Sequence, residues 1–211
     1  RQQIEDDLMA LSATGEAALK ALGLGPKASS WLEDNLALLS APVMPAIGRY
    51  TGVLFDALDY SSLSAEATAR ADQTVWLFSA LFGPIRATDV IPRYRLSFDS
   101  KLPGEALKKR WQPHAGEIWS GEFTIDLRSE GYRALAPLTE GSGVFIRVVR
   151  DLDGAAAVGH ANKGSKGKLV RELVESGSEV QSAGDLIDWA RAAGWEMAAS
   201  DSADELLLAT G

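Results

Sequence analysis

The chain has 211 residues, 46% of them hydrophobic and 24% charged, a composition that excludes a disordered or fibrous protein. It has no cysteine and two histidines, which excludes disulfides and thiolate nucleophiles and argues against a metal site. No cofactor is predicted. The formal net charge of −8 opposes nucleic-acid binding over the whole surface, so a DNA-binding function would need a local basic face.

Helical patterns dominate the first part of the chain. Thr14 is expected to cap the first helix, and Gly23 to end it. Pro26 suits the first position of the second helix, whose apolar residues recur at helical spacing. The predicted helices run over 14–22, 26–39, 46–58 and 64–71.

Short apolar and β-branched segments predict strands in the rest of the chain. The predicted strands are 74–80, 123–127, 144–150, 155–158, 195–198 and 206–209, with helices over 168–175 and 183–193. The turn at 151–154 suits a hairpin between the third and fourth strands. This mixture predicts an α/β (α+β) fold with a mixed sheet flanked by helices, as a single compact domain over 1–211. Residues 1–72 are its mainly helical part, and 73–211 its mixed sheet with helices.

Three arginines, Arg86, Arg93 and Arg95, crowd into a segment that two prolines stiffen. Guanidinium groups on a rigid support suit the binding of phosphates or carboxylates. In the alternative, Asp89 and Asp99 neutralise the arginines in an internal salt-bridge cluster.

The turn with Gly23, Gly25 and Lys27 resembles that of a helix-hairpin-helix motif, in which the backbone approaches a DNA phosphate. The alternative is an ordinary helix end followed by a proline helix start. This alternative predicts that the turn makes no contact with DNA.

Lys163 and Lys166 lie in a second basic segment, His160–Lys168, which is predicted to form a turn leading into a helix and to attract an anion. The segment departs from the ATP-binding P-loop, because Ser165 stands where lysine is required. In the alternative, it is a solvated helix start balanced by Glu172 and Glu175.

Enzyme signatures are few, and the chain contains no Gly-x-Ser-x-Gly or His-Glu-x-x-His motif. If the protein is a small-molecule enzyme, the candidates for proton chemistry are Asp89, Ser129, Tyr132 and His160. Its substrate would be phosphorylated or carboxylated, with a nucleobase as one option, and would bind to the arginine segment. The large aromatic residues are predicted to lie in the core: Trp76, Phe78, Phe82, Trp111, Trp119 and Trp189.

The run Phe82–Leu96 reads FGPIRATDVIPRYRL and resembles the YG-x-LRP-x-D-x-I-x-PYRLEM signature of the YaaA peroxide-stress family. Four further segments resemble the family in the same order, over about residues 20–175: Tyr50-Thr51-Gly52, Trp111, Asp126–Tyr132 and His160–Gly167. The family's opening Ser-Pro-x-Lys-Thr-like motif does not occur in this sequence. Ala87 stands in place of a proline, and Gly131 in place of a glutamate.

The resemblance implies a cytoplasmic DNA-binding protein of the oxidative stress response, which limits peroxide damage linked to intracellular iron. It implies DNA contact through a helix-hairpin-helix and an anion-binding cleft. No membrane partner is expected, because the sequence contains no apolar run near the roughly 20 residues that span a bilayer. The residues expected to meet phosphates are Gly23, Gly25, Lys27, Arg86, Arg93, Arg95, Lys163 and Lys166. We expect Lys163 and Lys166 to face one concavity with Arg93 and Arg95.

Overall fold

The computed structural model describes residues 1–152 and 160–210, except for the side chains of residues 160 and 161. These residues form two compact units. Unit 1 comprises Arg1–Arg49, Trp76–His114 and Ser129–Pro137, and unit 2 comprises Tyr50–Val75, Ala115–Arg128 and Leu138–Gly211. Both units contain helices and strands, which confirms the predicted α/β class. The prediction of one domain over 1–211 stays a prediction.

Most helices are short. They are α1 (Gln2–Ser12), α2 (Glu16–Ala21), α3 (Ser30–Leu36), α4 (Ala46–Arg49), α5 (Val53–Leu58), α6 (Ala65–Thr74), α7 (Leu107–Trp111), α8 (Ala115–Ile118), α9 (Glu130–Arg133), α10 (His160–Ser176) and α11 (Ala183–Ala192). Single 3₁₀ turns form at Pro26–Ala28, Tyr60–Ser62 and Gln112–His114. Across residues 1–152 and 160–210, we find no helix that combines the length and the apolar character needed to cross a membrane.

The strands are β1 (Val43–Pro45), β2 (Trp76–Ser79), β3 (Gly83–Arg86), β4 (Val90–Pro92), β5 (Thr124–Asp126), β6 (Gly143–Val149), β7 (Met197–Ala199) and β8 (Glu205–Ala209). In unit 1, β1 pairs with β4 and β2 with β3, both antiparallel. In unit 2 the order is β5-β6-β8-β7, in which β5, β6 and β8 are parallel and β7 is antiparallel. The predicted strand at 155–158 lies outside the described residues.

Two tryptophans of unit 1 occupy opposite environments. Trp111 is buried, and its indole N–H donates to the Ala80 carbonyl at 2.9 Å. Its ring also lies where a side chain on Gly83 would be, 2.6 Å from an added Cβ, so only glycine fits there. Trp76 is 52% exposed, so the prediction that it belongs to the core is wrong. It stands opposite Arg86 across the β2–β3 pair, and the Arg86 guanidinium lies 4.8 Å from its ring centroid.

The core of unit 2 forms between the central strands of its sheet and the helices α10 and α11. β6 is buried over almost its whole length, as expected of a strand that has parallel neighbours on both sides. The buried residues of this core are Val144, Ile146, Val148, Leu169, Leu186, Ala190, Met197, Leu206 and Leu208.

Three helix predictions in the first part of the chain are wrong in detail. Pro26 begins a single 3₁₀ turn rather than the helix predicted over 26–39, and α3 itself runs only from Ser30 to Leu36. Thr14 does not cap α2; its hydroxyl donates to the Leu11 carbonyl at the end of α1, at 2.7 Å, and Gly15 is the residue before α2. The predicted helix 46–58 is interrupted between α4 and α5, where Gly52 adopts φ +116. These shifted helix ends and the interruption at Gly52 leave the spacing of the apolar residues unchanged, so the sequence pattern did not reveal them.

The basic segment predicted as a turn before a helix is instead part of the helix. α10 begins at His160, so the amides from Gly164 onwards lie within the helix rather than in an anion-binding turn. A Cβ on Gly167 would lie 2.1 Å from the Leu54 carbonyl oxygen and 2.8 Å from the Ala57 Cβ. Gly167 therefore serves the close packing of α10 on α5.

Tyr60 supports one pH-dependent prediction. Its hydroxyl donates to the Asp72 carboxylate. Burial, and then this hydrogen bond and the negative charge of Asp72, raise the pKa of Tyr60 from 10.0 to about 12. The native protein therefore holds this proton more tightly than the unfolded chain, and the stability that Tyr60 contributes is lost as the pH rises from about 10 to 12. We expect Tyr60→Phe to lose less stability across this window in urea titrations. Parallel losses in both proteins would contradict this assignment.

Candidate functional site

The turn between α2 and α3 presents an open backbone. Gly23, with φ +66, ends α2: its N–H donates to the Lys20 carbonyl, and the Leu24 N–H donates to the Leu19 carbonyl. This is the Schellman arrangement that glycine favours. An added Cβ on Gly23 or Gly25 would meet no atom within 4 Å, and Lys27 is exposed on the 3₁₀ turn that follows. A ligand can therefore approach this turn closely.

The segment carrying Arg93 and Arg95 is attached to α3 by Asn35, which is fully buried. The Arg95 N–H donates to Asn35 Oδ1 at 2.7 Å, and Asn35 Nδ2 donates to the Arg95 carbonyl at 3.1 Å. The same amide nitrogen donates to the Ser12 hydroxyl at the end of α1, at 3.1 Å. A side-chain amide thus holds the backbone of Arg95 much as a neighbouring strand would.

Arg93 is held on the same helix by its side chain. Its guanidinium carbon lies 4.1 Å from the Trp31 ring centroid, and its Nε lies 3.3 Å from an Asp34 carboxylate oxygen. The ion-pair partner of Arg93 is therefore Asp34 on α3, rather than Asp89 or Asp99.

Tyr94 anchors the segment on its other side. Its hydroxyl lies 2.6 Å from the Ser79 hydroxyl, and its ring meets Phe82 edge-on at 5.3 Å. Arg93 and Arg95 are exposed while Tyr94 is partly buried. This alternation is that of an extended chain, and it turns both arginines away from the anchored side.

The chain then returns to the turn between α2 and α3, residues 23–27, which we call the glycine turn. The Lys101 N–H donates to the Ala21 carbonyl at the end of α2, at 2.8 Å, and the Lys101 side chain is exposed. Residues 16–36 and 93–101 therefore form one connected part of unit 1, which we call the basic hairpin. Its exposed cations are Lys20, Lys27, Arg93, Arg95 and Lys101, and its exposed acidic residues are Glu16, Glu33 and Asp99.

Arg86 lies on the β2–β3 pair, where it stacks on Trp76 as described above. Asp89 does not pair with its guanidinium; the carboxylate accepts the backbone N–H of Arg86 at 2.9 Å. Asp89 therefore stabilises the turn that leads to β4. This local bond replaces the predicted salt-bridge cluster.

Lys163 and Lys166 lie on α10 in unit 2, and they differ in environment. Lys163 is exposed, whereas Lys166 is 4% exposed. The Lys166 ammonium donates to the Arg128 carbonyl at 3.2 Å and lies 4.8 Å from the Phe145 ring centroid. The expectation that both lysines face one concavity with Arg93 and Arg95 stays a prediction, and burial does not favour Lys166 as a phosphate ligand.

A buried ion pair at the end of β5 was missed by the sequence analysis. Arg128 Nε and one terminal nitrogen donate to the two oxygens of Asp126, at 2.8 and 2.7 Å, and the side chains are 12% and 1% exposed. Trp119 covers the guanidinium, with 4.7 Å from its ring centroid to the guanidinium carbon. The alternation of charged residues at the end of a short strand was the one available signal.

The remaining candidates for proton chemistry belong to two different units. Ser129 precedes α9 in unit 1, and Tyr132 meets Phe98 edge-on at 5.3 Å. An added Cβ on Gly131 would lie 2.3 Å from the ring of Phe98, so a side chain at this position would require the partly exposed Phe98 side chain to move. His160 begins α10 in unit 2, and its side chain lies outside the described ones.

The formal charge is divided unequally between the units. Unit 1 contains 12 Lys and Arg against 10 Asp and Glu, a charge of +2, and unit 2 contains 9 against 19, a charge of −10. The acidic character of the chain therefore belongs to unit 2, and the basic hairpin lies in the cationic unit.

Comparison with known proteins identifies the family. The sequence profile described as peroxide stress protein YaaA matches residues 2–201. A UPF0246 protein of Corynebacterium glutamicum is 41% identical over 92% of this chain and 80% of its own length, and one of Corynebacterium efficiens is 39% identical over 98% and 85%. A UPF0246 protein of Streptomyces coelicolor is 36% identical over 94% and 80%. The chain belongs to the YaaA peroxide stress protein family.

Proposed function

We propose that this protein is a cytoplasmic DNA-binding protein of the peroxide stress response, which limits iron-linked oxidative damage, and that its basic hairpin contacts the DNA backbone as a helix-hairpin-helix does. Family membership supports the stress response. The proposed DNA contact is supported mainly by one observation: the Arg93–Arg95 segment is attached to α3, beside the open glycine turn.

The chemistry of the basic hairpin suits phosphate. Arg95, Lys27 and Lys101 have no ion-pair partner among residues 1–152 and 160–210, so their charges are available to a ligand. The glycine turn lets the backbone approach closely, and the neighbouring cations would replace the counterions of the DNA. The cations lie on an exposed surface, which suits a polyanion better than a small enclosed metabolite.

The charge division supports the same part of the molecule. A net charge of −10 opposes DNA binding over the surface of unit 2 as a whole, which favours the cationic unit as the source of the attraction. Such binding would weaken steeply as salt is added, because its main driving force is counterion release.

We expect Lys27→Glu to weaken binding to a labelled DNA duplex roughly tenfold and to lower the slope of log affinity against log salt, because one phosphate contact becomes a repulsion. The measurement is fluorescence anisotropy at about 50 and 200 mM salt. Arg191→Glu is the matched control: it makes the same charge change on an exposed site of unit 2 and should leave affinity within about twofold. Equal effects of the two substitutions would contradict a site on the basic hairpin. Binding by the wild type that is absent or insensitive to salt would contradict the function itself.

The alternative of a small-molecule enzyme lacks a comparable supporting contact. The Asp89 carboxylate is engaged by the backbone of its own turn. Ser129 and Tyr132 belong to unit 1 and His160 to unit 2. A wild-type protein that bound phosphorylated metabolites but no DNA would favour this alternative.

A further inference from the structure

Asn35 makes contacts that a helix residue does not need for helix formation. It is fully buried, and its amide satisfies both backbone groups of a residue 60 positions away. Resting on the function proposed above, we infer that Asn35 is the positioning residue for Arg95, which sets the direction in which the guanidinium meets a phosphate.

The chemistry of the amide makes this arrangement specific. The Arg95 N–H needs an acceptor and its carbonyl needs a donor, and the primary amide of Asn35 offers both in one plane whatever the pH. The second N–H of Asn35 donates to Ser12, which is itself 2% exposed. The amide orientation is therefore fixed from both sides, and the Cα–Cβ direction of Arg95 is fixed with it.

Arg95 depends on this attachment more than Arg93 does. The Arg93 guanidinium has Trp31 and Asp34 to hold it. The Arg95 side chain is exposed and makes no hydrogen bond or ion pair to any residue within 1–152 and 160–210. The placement of its guanidinium therefore comes from the backbone that Asn35 holds.

The test is a double-mutant cycle on affinity for a labelled DNA duplex. We expect Arg95→Ala and Asn35→Leu each to weaken binding about tenfold; leucine keeps the branched side-chain skeleton of asparagine and removes its amide. In the Arg95→Ala background, Asn35→Leu should have no further effect, because it acts through Arg95. Leu186→Ala is the control: it removes a fully buried side chain from the core of unit 2 and lowers stability, yet should leave affinity within about twofold.

Three results would overturn the inference: a folded Asn35→Leu protein with wild-type affinity, effects that multiply in the double variant, or an equal loss in Leu186→Ala. If Asn35→Leu does not fold, Asn35→Asp takes its place, since ionised aspartate keeps the acceptor for the Arg95 N–H and loses the donor to the Arg95 carbonyl.

Different results would contradict the proposed function and the inference about Asn35. A wild type without salt-dependent binding contradicts the proposed function and, with it, the role of Arg95. Salt-dependent binding by the wild type and both Asn35 variants alike contradicts this inference alone.

Discussion

Gly167→Ala is expected to lower the free energy of unfolding by about 3 kcal/mol, because the new methyl group must displace backbone rather than a flexible side chain. Its Cβ would lie 2.1 Å from the Leu54 carbonyl oxygen, far inside van der Waals contact. Relief requires α10 to move away from α5. Urea denaturation followed by circular dichroism measures the change.

Gly164→Ala provides the matched control on the same helix. Its Cβ would meet only Val53 Cγ1, at 3.7 Å, which is an ordinary contact. Alanine is the better helix former by about 1 kcal/mol, so this variant should be as stable as the wild type or more so. If the two alanine variants are equally stable, Gly167 is not required for the packing of α10 on α5.

Asp126→Asn is expected to cost about 3 kcal/mol, because it removes the buried carboxylate that the Arg128 guanidinium bonds with both Nε and a terminal nitrogen. The Asp126 side chain is 1% exposed and accepts these two hydrogen bonds as well as the Arg128 backbone N–H, at 3.1 Å. Thermal and urea denaturation both measure the loss.

A second ion pair of unit 2 provides the comparison. Asp188 and Arg191 pair on α11 with side chains that are 78% and 74% exposed. Asp188→Asn should therefore change stability by no more than about 0.5 kcal/mol. A loss at Asp126 as small as that at Asp188 would mean that water reaches the buried pair and screens it. Replacing Asp126 and Arg128 together by apolar residues should recover most of the loss.

The parts of the fold that follow from local signals could be predicted from the sequence. Ser64 accepts the Ala67 N–H at 3.2 Å as the cap of α6, and Gly23 ends α2. The closing strands appear as β7 and β8, with ends that differ by a residue or two from the prediction. In each case the residues that specify the element lie within it or beside it.

The predictions that failed depend on residues far away in the chain. The segment 160–168 was predicted to contain a turn, because the residue that requires Gly167 within α10, Leu54, lies more than a hundred positions earlier. Trp76 was predicted to lie in the core from its residue type. Its exposure is decided by the pairing of β2 with β3, which the sequence pattern does not show. The candidate site shows the same limit. The arginines were identified by type, but their partners on α3 could not be, since pairing over 60 residues leaves no periodic signal.

The anchoring of residues 93–95 also has an entropic consequence. Ordering a flexible chain costs about 1–2 kcal/mol per residue at room temperature. Here Trp31, Ser79 and Asn35 each hold one of the three residues in the folded protein. Most of the backbone ordering is therefore complete before any anion arrives, and only the outer side-chain rotations remain to be restricted. An anion that binds this segment would keep more of its interaction energy as affinity than it would on a mobile loop.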